Sequence, residues 1–158
     1  DVIRQKTASL IASCCAAGAA SAGSDDEQVA KAKLLGEKIG MAFQIKDDLF
    51  DYGDEEIGKP TGIDIKEKKL TLPLIHALSK ADRGEKRNVI NLIKRHSDKP
   101  AKVKEVIDFV KNSGGIAYTK EVMMKYMNDA NAILDTFENS EYKNALSGLI
   151  QFTIERTK

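Results

Sequence analysis

The chain has 158 residues, of which 42% are hydrophobic and 31% are charged. This balance is typical of a folded soluble domain rather than a disordered segment, and the length is sufficient for one hydrophobic core. Basic and acidic side chains nearly cancel, 25 against 24, so the charge gives no reason to expect nucleic acid as a partner. We therefore expect one soluble domain over residues 1–158.

The sequence contains no recognisable signal peptide or transmembrane segment. Its apolar run from Ala12 to Ala22 is too short, and too rich in Ala, Gly and Ser, to span a bilayer. Cys14 and Cys15 are adjacent in a helical stretch and point about 100° apart, so a disulfide between them would be strained. These features predict a cytoplasmic protein. Helical periodicity starts at once and without an initiator Met, so we expect the chain to be part of a longer protein.

Helical periodicity runs through nearly the whole sequence, which predicts an all-α fold. The first helix is predicted from about Asp1 to Ala22, and the second, capped by Ser24 or Asp25, continues to about Tyr52. Gly36 and Gly40 lie four residues apart on one face of the second helix and predict close packing there. A long polar loop follows, and the remaining helices are predicted over Leu72–Lys80, Gly84–His96, Ala101–Asn112, Ile116–Phe137 and Glu141–Arg156.

The second helix carries an acidic cluster near its end. Spacings of i, i+3, i+4 and i+7 place four polar side chains on one face: Gln44, Asp47, Asp48 and Asp51. Carboxylates suit Mg²⁺, which typically takes one or two of them and completes its shell with water and phosphate oxygens. An exposed acidic helix end explains the cluster equally well. A Ca²⁺-binding EF-hand loop does not, because Tyr52 and Gly58 stand where that loop needs Gly and Glu.

Candidate phosphate-binding residues stand on both sides of the acidic cluster. They are Lys6 and Thr7 in the first helix, and Lys59, Lys68 and Lys69 around Asp64 in the loop. Lysines supply positive charge to phosphate oxygens, and a threonine supplies a hydroxyl donor. Glycines at positions 58 and 62 allow a loop backbone to approach a phosphate closely. Taken together, these groups favour a Mg²⁺-diphosphate site over an incidental acidic surface.

The stretch from Gly40 to Leu78 closely resembles the second aspartate-rich region of the trans-isoprenyl diphosphate synthases. The residues that match the family pattern in order are Phe43-Gln44, Asp47 to Asp51, Gly58-Lys59, Gly62-Ile63-Asp64, Lys69 and Thr71-Leu72-Pro73. The family's upstream Lys-Thr pair is present as Lys6-Thr7, and the resemblance extends to the end of the chain. It implies the C-terminal part of an isoprenoid-synthase-type helical bundle, and commonly a homodimer in the complete protein.

The resemblance also implies a role for each matched residue. Asp47 would be the principal Mg²⁺ ligand of this helix, with help from Asp48 and Asp51. The diphosphate of an allylic substrate would be held by Lys6, Lys59 and Lys69. Thr7 and Gln44 would lie near the reacting carbons, and Asp64 would orient Lys59 or metal-bound water. The implied reaction joins isopentenyl diphosphate to an allylic prenyl diphosphate, with Mg²⁺ as the cofactor.

Two features limit what this chain is expected to do alone. The family's first aspartate-rich motif and its isopentenyl diphosphate site are missing, so we expect the isolated chain to be inactive. The C-terminal sequence, ALSGLIQFTIERTK, is more similar to long-chain polyprenyl synthases than to the farnesyl type. The alternatives are a short-chain farnesyl or geranylgeranyl synthase, a non-catalytic subunit of a heteromeric synthase, and a helical interaction module with an incidental acidic stripe.

Overall fold

A computed structural model describes residues 2–53 and 61–156 of the chain. Over these residues the regular secondary structure is entirely helical, which confirms the predicted all-α class. The described residues form two compact units, one from residues 2–46 and 122–156 and the other from residues 47–121. None of the described helices is long and apolar enough to cross a membrane.

The first unit is built from a π-helical turn and four helices. The π turn covers Arg4–Ala8 and leads into α1, Ser9–Ser21. The unit also contains most of α2, Asp26–Phe50, the later part of α7, Gly115–Asp135, and all of α8, Glu141–Glu155. Helices α2 and α7 thus contribute residues to both units.

Close packing between α1 and α2 explains the two glycines of α2. A Cβ atom built on Gly40 would lie 2.6 Å from the Cα of Ala8, and one built on Gly36 would lie 2.8 Å from the Sγ of Cys15. Real side chains do not approach this closely, so both positions require glycine. The start of α2 is fixed by Asp25, whose side chain accepts a hydrogen bond from the N–H of Gln28 at 2.8 Å. Both features confirm expectations drawn from the sequence.

The second unit is a small helical cluster around its own hydrophobic core. Its complete helices are α3, Ile63–Lys66, α4, Leu72–Lys80, α5, Arg83–His96, and α6, Pro100–Asn112. Fully buried members of the core include Ile65, Leu74, Val106 and Val110. Helix α5 begins where the side chain of Asp82 accepts hydrogen bonds from two backbone N–H groups. Helices α4, α5 and α6 agree with the sequence pattern to within one residue at each end.

The segment predicted as an uninterrupted loop over Gly53–Thr71 contains helix α3, so that part of the prediction is wrong. The helix was missed because it has only four residues and no local side-chain cap. Helix α2 also ends at Phe50 rather than near Tyr52. There the N–H groups of Tyr52 and Gly53 bond to carbonyls three residues earlier, which closes the helix with a tight turn.

Candidate functional site

In the first unit, the structure brings Thr7 and Gln44 together across 37 positions of sequence. The hydroxyl of Thr7 donates a hydrogen bond to Oε1 of Gln44, with 2.9 Å between the oxygens. Because this bond uses the hydroxyl proton, the Thr7 oxygen keeps lone pairs for another donor while the Gln44 side chain is held in one orientation. The two residues that the resemblance places near the reacting carbons therefore form one fixed polar pair.

Lys6 and Thr7 lie in the π turn, where the chain departs from ordinary α-helix. The N–H of Ser9 bonds to the carbonyl oxygen of Arg4, five residues earlier. Single π turns within helices are uncommon and occur frequently at functional sites. The Lys6 side chain is exposed, whereas Ala8 is fully buried against Gly40. The turn thus anchors itself through Ala8 and leaves a lysine accessible to an anion.

In the second unit, the three aspartates that follow Gln44 differ in their surroundings. Asp47 is exposed, whereas Asp48 and Asp51 are only 7% and 8% exposed. The carboxylate of Asp51 accepts hydrogen bonds from the backbone N–H groups of Ile63 and Asp64, at 2.7 and 3.1 Å. Its own carbonyl oxygen accepts a third bond, from the N–H of Gly62 at 2.9 Å. Asp51 is thus attached at three points to the start of α3.

Burial sets the proton affinity of Asp51. Removal from water raises the pKa of this carboxyl, and the negative charge of Asp64 adds to the increase. The N–H groups of Asp64, Ile63 and Ile65 act in the opposite direction because they stabilise the carboxylate. The amides therefore offset only part of the cost of burying the charge.

Through Asp51 and Asp64, the end of α2 is linked to the positively charged side chain of Lys69. The N–H of Asp64 donates a hydrogen bond to the Asp51 carboxylate, and the Asp64 carboxylate forms an ion pair with Nζ of Lys69 at 3.2 Å. Lys69 also forms an ion pair with Glu67 at 2.6 Å. Both partners raise the pKa of the lysine, and the hydrogen bond to Glu67 has a larger effect than the one to Asp64. Asp64 therefore contacts Lys69, and the expectation that it orients Lys59 or a metal-bound water stays a prediction. Gly58 and Lys59 lie outside the described residues.

Tyr52 and Thr71 are part of the same unit, and the sequence pattern did not single them out as functional. Their hydroxyl groups are hydrogen-bonded at 2.8 Å in the interior. Burial strongly raises the pKa of Tyr52, and its hydrogen bond with Thr71 opposes that rise. Tyr52 directly follows the last aspartate, and Thr71 is the first residue of the matched Thr-Leu-Pro segment. These positions are the sequence feature from which the pair could have been found.

Gly62 has a packing role rather than an open approach to a ligand. Its φ angle of +76° is one that residues with side chains rarely adopt, and a Cβ there would collide with the side chain of Val103 on α6. The glycine lets the chain turn tightly from Asp51 into α3. This placement gives a structural reason for a residue that the sequence suggested for phosphate binding.

The chemistry of the donor set fits Mg²⁺ as a partly protein-bound ion. Among residues 2–53 and 61–156, no three His, Cys, Asp or Glu side chains converge on a point that could hold a metal. Mg²⁺ seldom uses such a cage and takes one or two carboxylates together with water and phosphate oxygens. The exposed carboxylate of Asp47, next to Asp48, matches that requirement.

Comparison with known sequences matches this chain to one family. The sequence profile described as polyprenyl synthetase matches residues 1–110, which include every residue discussed above as a candidate. The chain belongs to the polyprenyl synthetase family. This confirms the resemblance inferred from the ordered motifs between Gly40 and Leu78.

Two curated relatives are similar over almost all of this chain. The short chain isoprenyl diphosphate synthase of Methanothermobacter thermautotrophicus is 34% identical over 99% of this chain and 48% of its own length. The heptaprenyl diphosphate synthase component 2 of Geobacillus stearothermophilus is 33% identical over 98% of this chain and 48% of its own length. The polyprenyl synthetase chain described here thus spans about half the length of the curated relatives it matches.

Solved structures agree in fold. A decaprenyl diphosphate synthase from Rhodobacter capsulatus superimposes with a TM-score of 0.90 at 31% identity, over 99% of this chain and 49% of that one. A geranylgeranyl pyrophosphate synthase from Corynebacterium glutamicum, complexed with calcium and isoprenyl diphosphate, gives 0.86 at 35% identity over 99% and 49%. The isoprenyl synthase fold predicted from the sequence is therefore confirmed for this polyprenyl synthetase.

Proposed function

We propose that the complete protein is a trans-prenyltransferase that extends an allylic prenyl diphosphate with isopentenyl diphosphate to make a long-chain all-trans product. Family membership supports the reaction class. The observation on which the proposal rests is the linked set of Asp51, Asp64 and Lys69, which follows the exposed Asp47 in the chain. A lysine paired with Asp64, together with the accessible carboxylate of Asp47, suits a substrate that arrives as a metal diphosphate. The similarity of the C-terminal sequence to long-chain synthases supports the product length.

In this proposal the residues act on a leaving diphosphate. The allylic C–O bond breaks with its electron pair leaving on the diphosphate, the double bond of isopentenyl diphosphate attacks the cation, and a proton is then lost. Asp47 and Asp48 would hold Mg²⁺, which neutralises charge on the leaving group. Lys6, Lys59 and Lys69 would bind phosphate oxygens. The oxygens of Thr7 and Gln44 would stabilise the carbocation or accept the proton, since both are dipoles fixed in advance.

Asp51 has a structural role in this proposal. Its carboxylate already accepts two backbone N–H groups, and it is only 8% exposed. We assign it to holding the start of α3, so that Asp64 and Lys69 keep their positions, rather than to primary metal binding. Asp47 remains the proposed principal ligand.

The decisive assay uses the full-length protein with farnesyl and isopentenyl diphosphates and Mg²⁺. Asp47→Ala is expected to lower elongation by at least about a hundredfold, because it removes stabilisation present mainly in the transition state. Asp108→Ala, at an exposed aspartate of α6, is the matched control and should retain activity. Full activity of the Asp47 variant would refute the site assignment. Product chromatography gives chain length, and elongation that stops at C20 would favour the short-chain alternative.

The subunit organisation is also a proposal. We expect a cytoplasmic homodimer, the arrangement implied by the family resemblance. The name of the Geobacillus relative, component 2, favours a second candidate, in which this protein is one subunit of a heteromeric synthase. Purified full-length protein that elongates farnesyl diphosphate by itself would support the first. Protein that becomes active only when mixed with a second polypeptide from the same source would support the other.

A further inference from the structure

A groove in the second unit shares only Lys68 with the candidate phosphate-binding residues named from the sequence. It lies between α4, α5 and the segment just before α4, and it has a volume of about 650 Å³. Concave sites of roughly 300–1,000 Å³ are of the size that accepts one small organic molecule. The lining residues are Lys68, Leu70, Ile75, Leu78, Ser79, Lys86, Ile90, Ile93 and Lys94. None of them belongs to the proposed machinery around Asp47, Asp64 and Lys69.

The groove is apolar inside and positively charged at its edges. Leu70 and Ile75 both line the groove and are 59% and 49% exposed, so two large hydrophobic side chains there remain open to solvent. The lining contains three lysines and no acidic residue. Within the described part of the chain, none of these lysines is in an ion pair. The charge of the groove is therefore not balanced by neighbouring carboxylates.

The positions of the lysines indicate the shape of the missing partner. Lys86 and Lys94 are eight residues apart on α5, which separates them by about 12 Å along the helix. Ile90 lies halfway between them on the same face. A molecule that neutralises a lysine while covering Ile90 and Leu70 must combine an anionic group with a hydrocarbon chain.

We propose that this groove is a second binding site for a prenyl diphosphate, with the chain on the apolar floor and the diphosphate on the lysines. The choice of a prenyl chain rests on the proposed function, since that reaction produces an anionic amphiphile. A bilayer surface fits less well because the apolar residues lie in a cleft of single-molecule size rather than on a protruding face. Occupation would let the protein retain its product after release from the metal-dependent site.

The test measures metal-independent binding to the full-length protein. Calorimetric titration with geranylgeranyl diphosphate in EDTA is compared for the wild type, for Ile90→Glu and for the double variant Lys86→Glu/Lys94→Glu. Both groove variants are expected to weaken binding about tenfold or more, since one loses the apolar floor and the other the charge. Lys104→Glu, at an exposed lysine of α6, is the matched control and should bind like the wild type. Unchanged affinity in both groove variants would overturn the proposal.

Further arms separate the possible occupants. Geranylgeraniol, which lacks the diphosphate, is expected to bind more weakly than the diphosphate ester. Groove-dependent binding to phosphatidylglycerol vesicles without binding of the soluble ester would overturn the proposal in favour of a membrane. A Ser79→Cys variant that resists thiol labelling in the folded full-length protein would also overturn it, because another part of the protein would then cover the groove.

The outcome is independent of the elongation assay. An Asp47→Ala protein should still bind geranylgeranyl diphosphate in EDTA through the groove. If the wild type fails to elongate, the proposed function fails while the titration still decides whether the groove binds the ester.

Discussion

At the scale of single residues, Asp51 carries the clearest structural assignment. Its carboxylate accepts two backbone N–H groups at the start of α3, so its removal leaves two amides of a partly buried segment without their acceptor. We expect Asp51→Ala to lower the free energy of unfolding by about 2–3 kcal/mol in the absence of metal. Asp51→Asn should cost less, about 1 kcal/mol, because it keeps one acceptor oxygen and has no charge to desolvate.

Urea denaturation of both variants tests this assignment. Asp47→Asn is the matched control, since Asp47 is exposed and a surface change of this kind usually alters stability by less than about 0.5 kcal/mol. An Asp51→Ala protein as stable as the wild type would mean that the carboxylate does not anchor α3.

Tyr52 provides a prediction with a pH dependence. Burial raises the pKa of its hydroxyl, so the folded state favours the neutral phenol. An acid with a raised pKa contributes stability below its unfolded pKa, about 10 for tyrosine, and that contribution is lost as the pH rises further. Tyr52→Phe should lower the free energy of unfolding by about 1 kcal/mol at pH 8, because it removes the hydrogen bond with Thr71. Above pH 10 the difference should shrink by up to about 1.4 kcal/mol per pH unit.

Urea denaturation of the wild type and Tyr52→Phe from pH 8 to pH 11 measures this difference. Subtracting the two curves removes the titration of the other tyrosines and of the lysines. A difference that stays constant with pH would contradict a buried, neutral Tyr52.

At the scale of helices, packing of α1 against α2 decides the effect of a glycine substitution. In an exposed helix interior, Gly→Ala typically gains about 0.5–1 kcal/mol. Gly40→Ala should instead lower the free energy of unfolding by about 1–3 kcal/mol. Its Cβ would lie 2.6 Å from the Cα of Ala8, a backbone atom that cannot rotate away. Gly18→Ala on α1 is the matched control and should stabilise the protein, since the added Cβ would have only its own helix backbone and chain neighbours within 4 Å. Thermal denaturation of both variants measures the contrast.

The same substitution has a consequence for the Thr7 and Gln44 pair. Ala8 follows Thr7 in the π turn, so any shift forced by a methyl group at position 40 moves the Thr7 hydroxyl. We therefore expect Gly40→Ala to lower the turnover of the full-length enzyme more than its affinity for the allylic substrate. If Gly40→Ala is as stable and as active as the wild type, the helices are less closely packed than the structure indicates.

At the scale of the whole molecule, Mg²⁺ should increase the stabilisation that an allylic diphosphate gives, because the candidate site is proposed to bind the two together. A ligand at about 100 times its Kd adds about 2.7 kcal/mol to stability, which raises Tm by several degrees. We expect a rise of this size when Mg²⁺ is added to the full-length protein in the presence of an allylic diphosphate, and we expect Asp47→Ala to lose this metal-dependent part. A wild-type Tm that is indifferent to both ligands would favour the helical interaction module.

The sequence alone determined the all-α class, the limits of most helices and the family. These properties depend on local periodicity, caps and motif order: Asp25 caps α2, and Gly40 to Leu78 carry the matched pattern. The sequence also assigned Asp51 to metal binding, which stays a prediction, suggested that Gly62 approaches a phosphate, and predicted a loop where α3 lies. No local pattern could say that the Asp51 carboxylate meets the amides of Ile63 and Asp64.

Only the tertiary structure decided how the matched residues are held. The pair of Thr7 and Gln44, the contact of Gly40 with Ala8 and the cleft between α4 and α5 each join parts of the chain that no local pattern relates. The physical reason is that periodicity records which face of a helix is apolar but not which neighbour covers it. The partners of buried polar groups are set by packing over long sequence separations, and these partners distinguish the exposed Asp47 from the anchored Asp51.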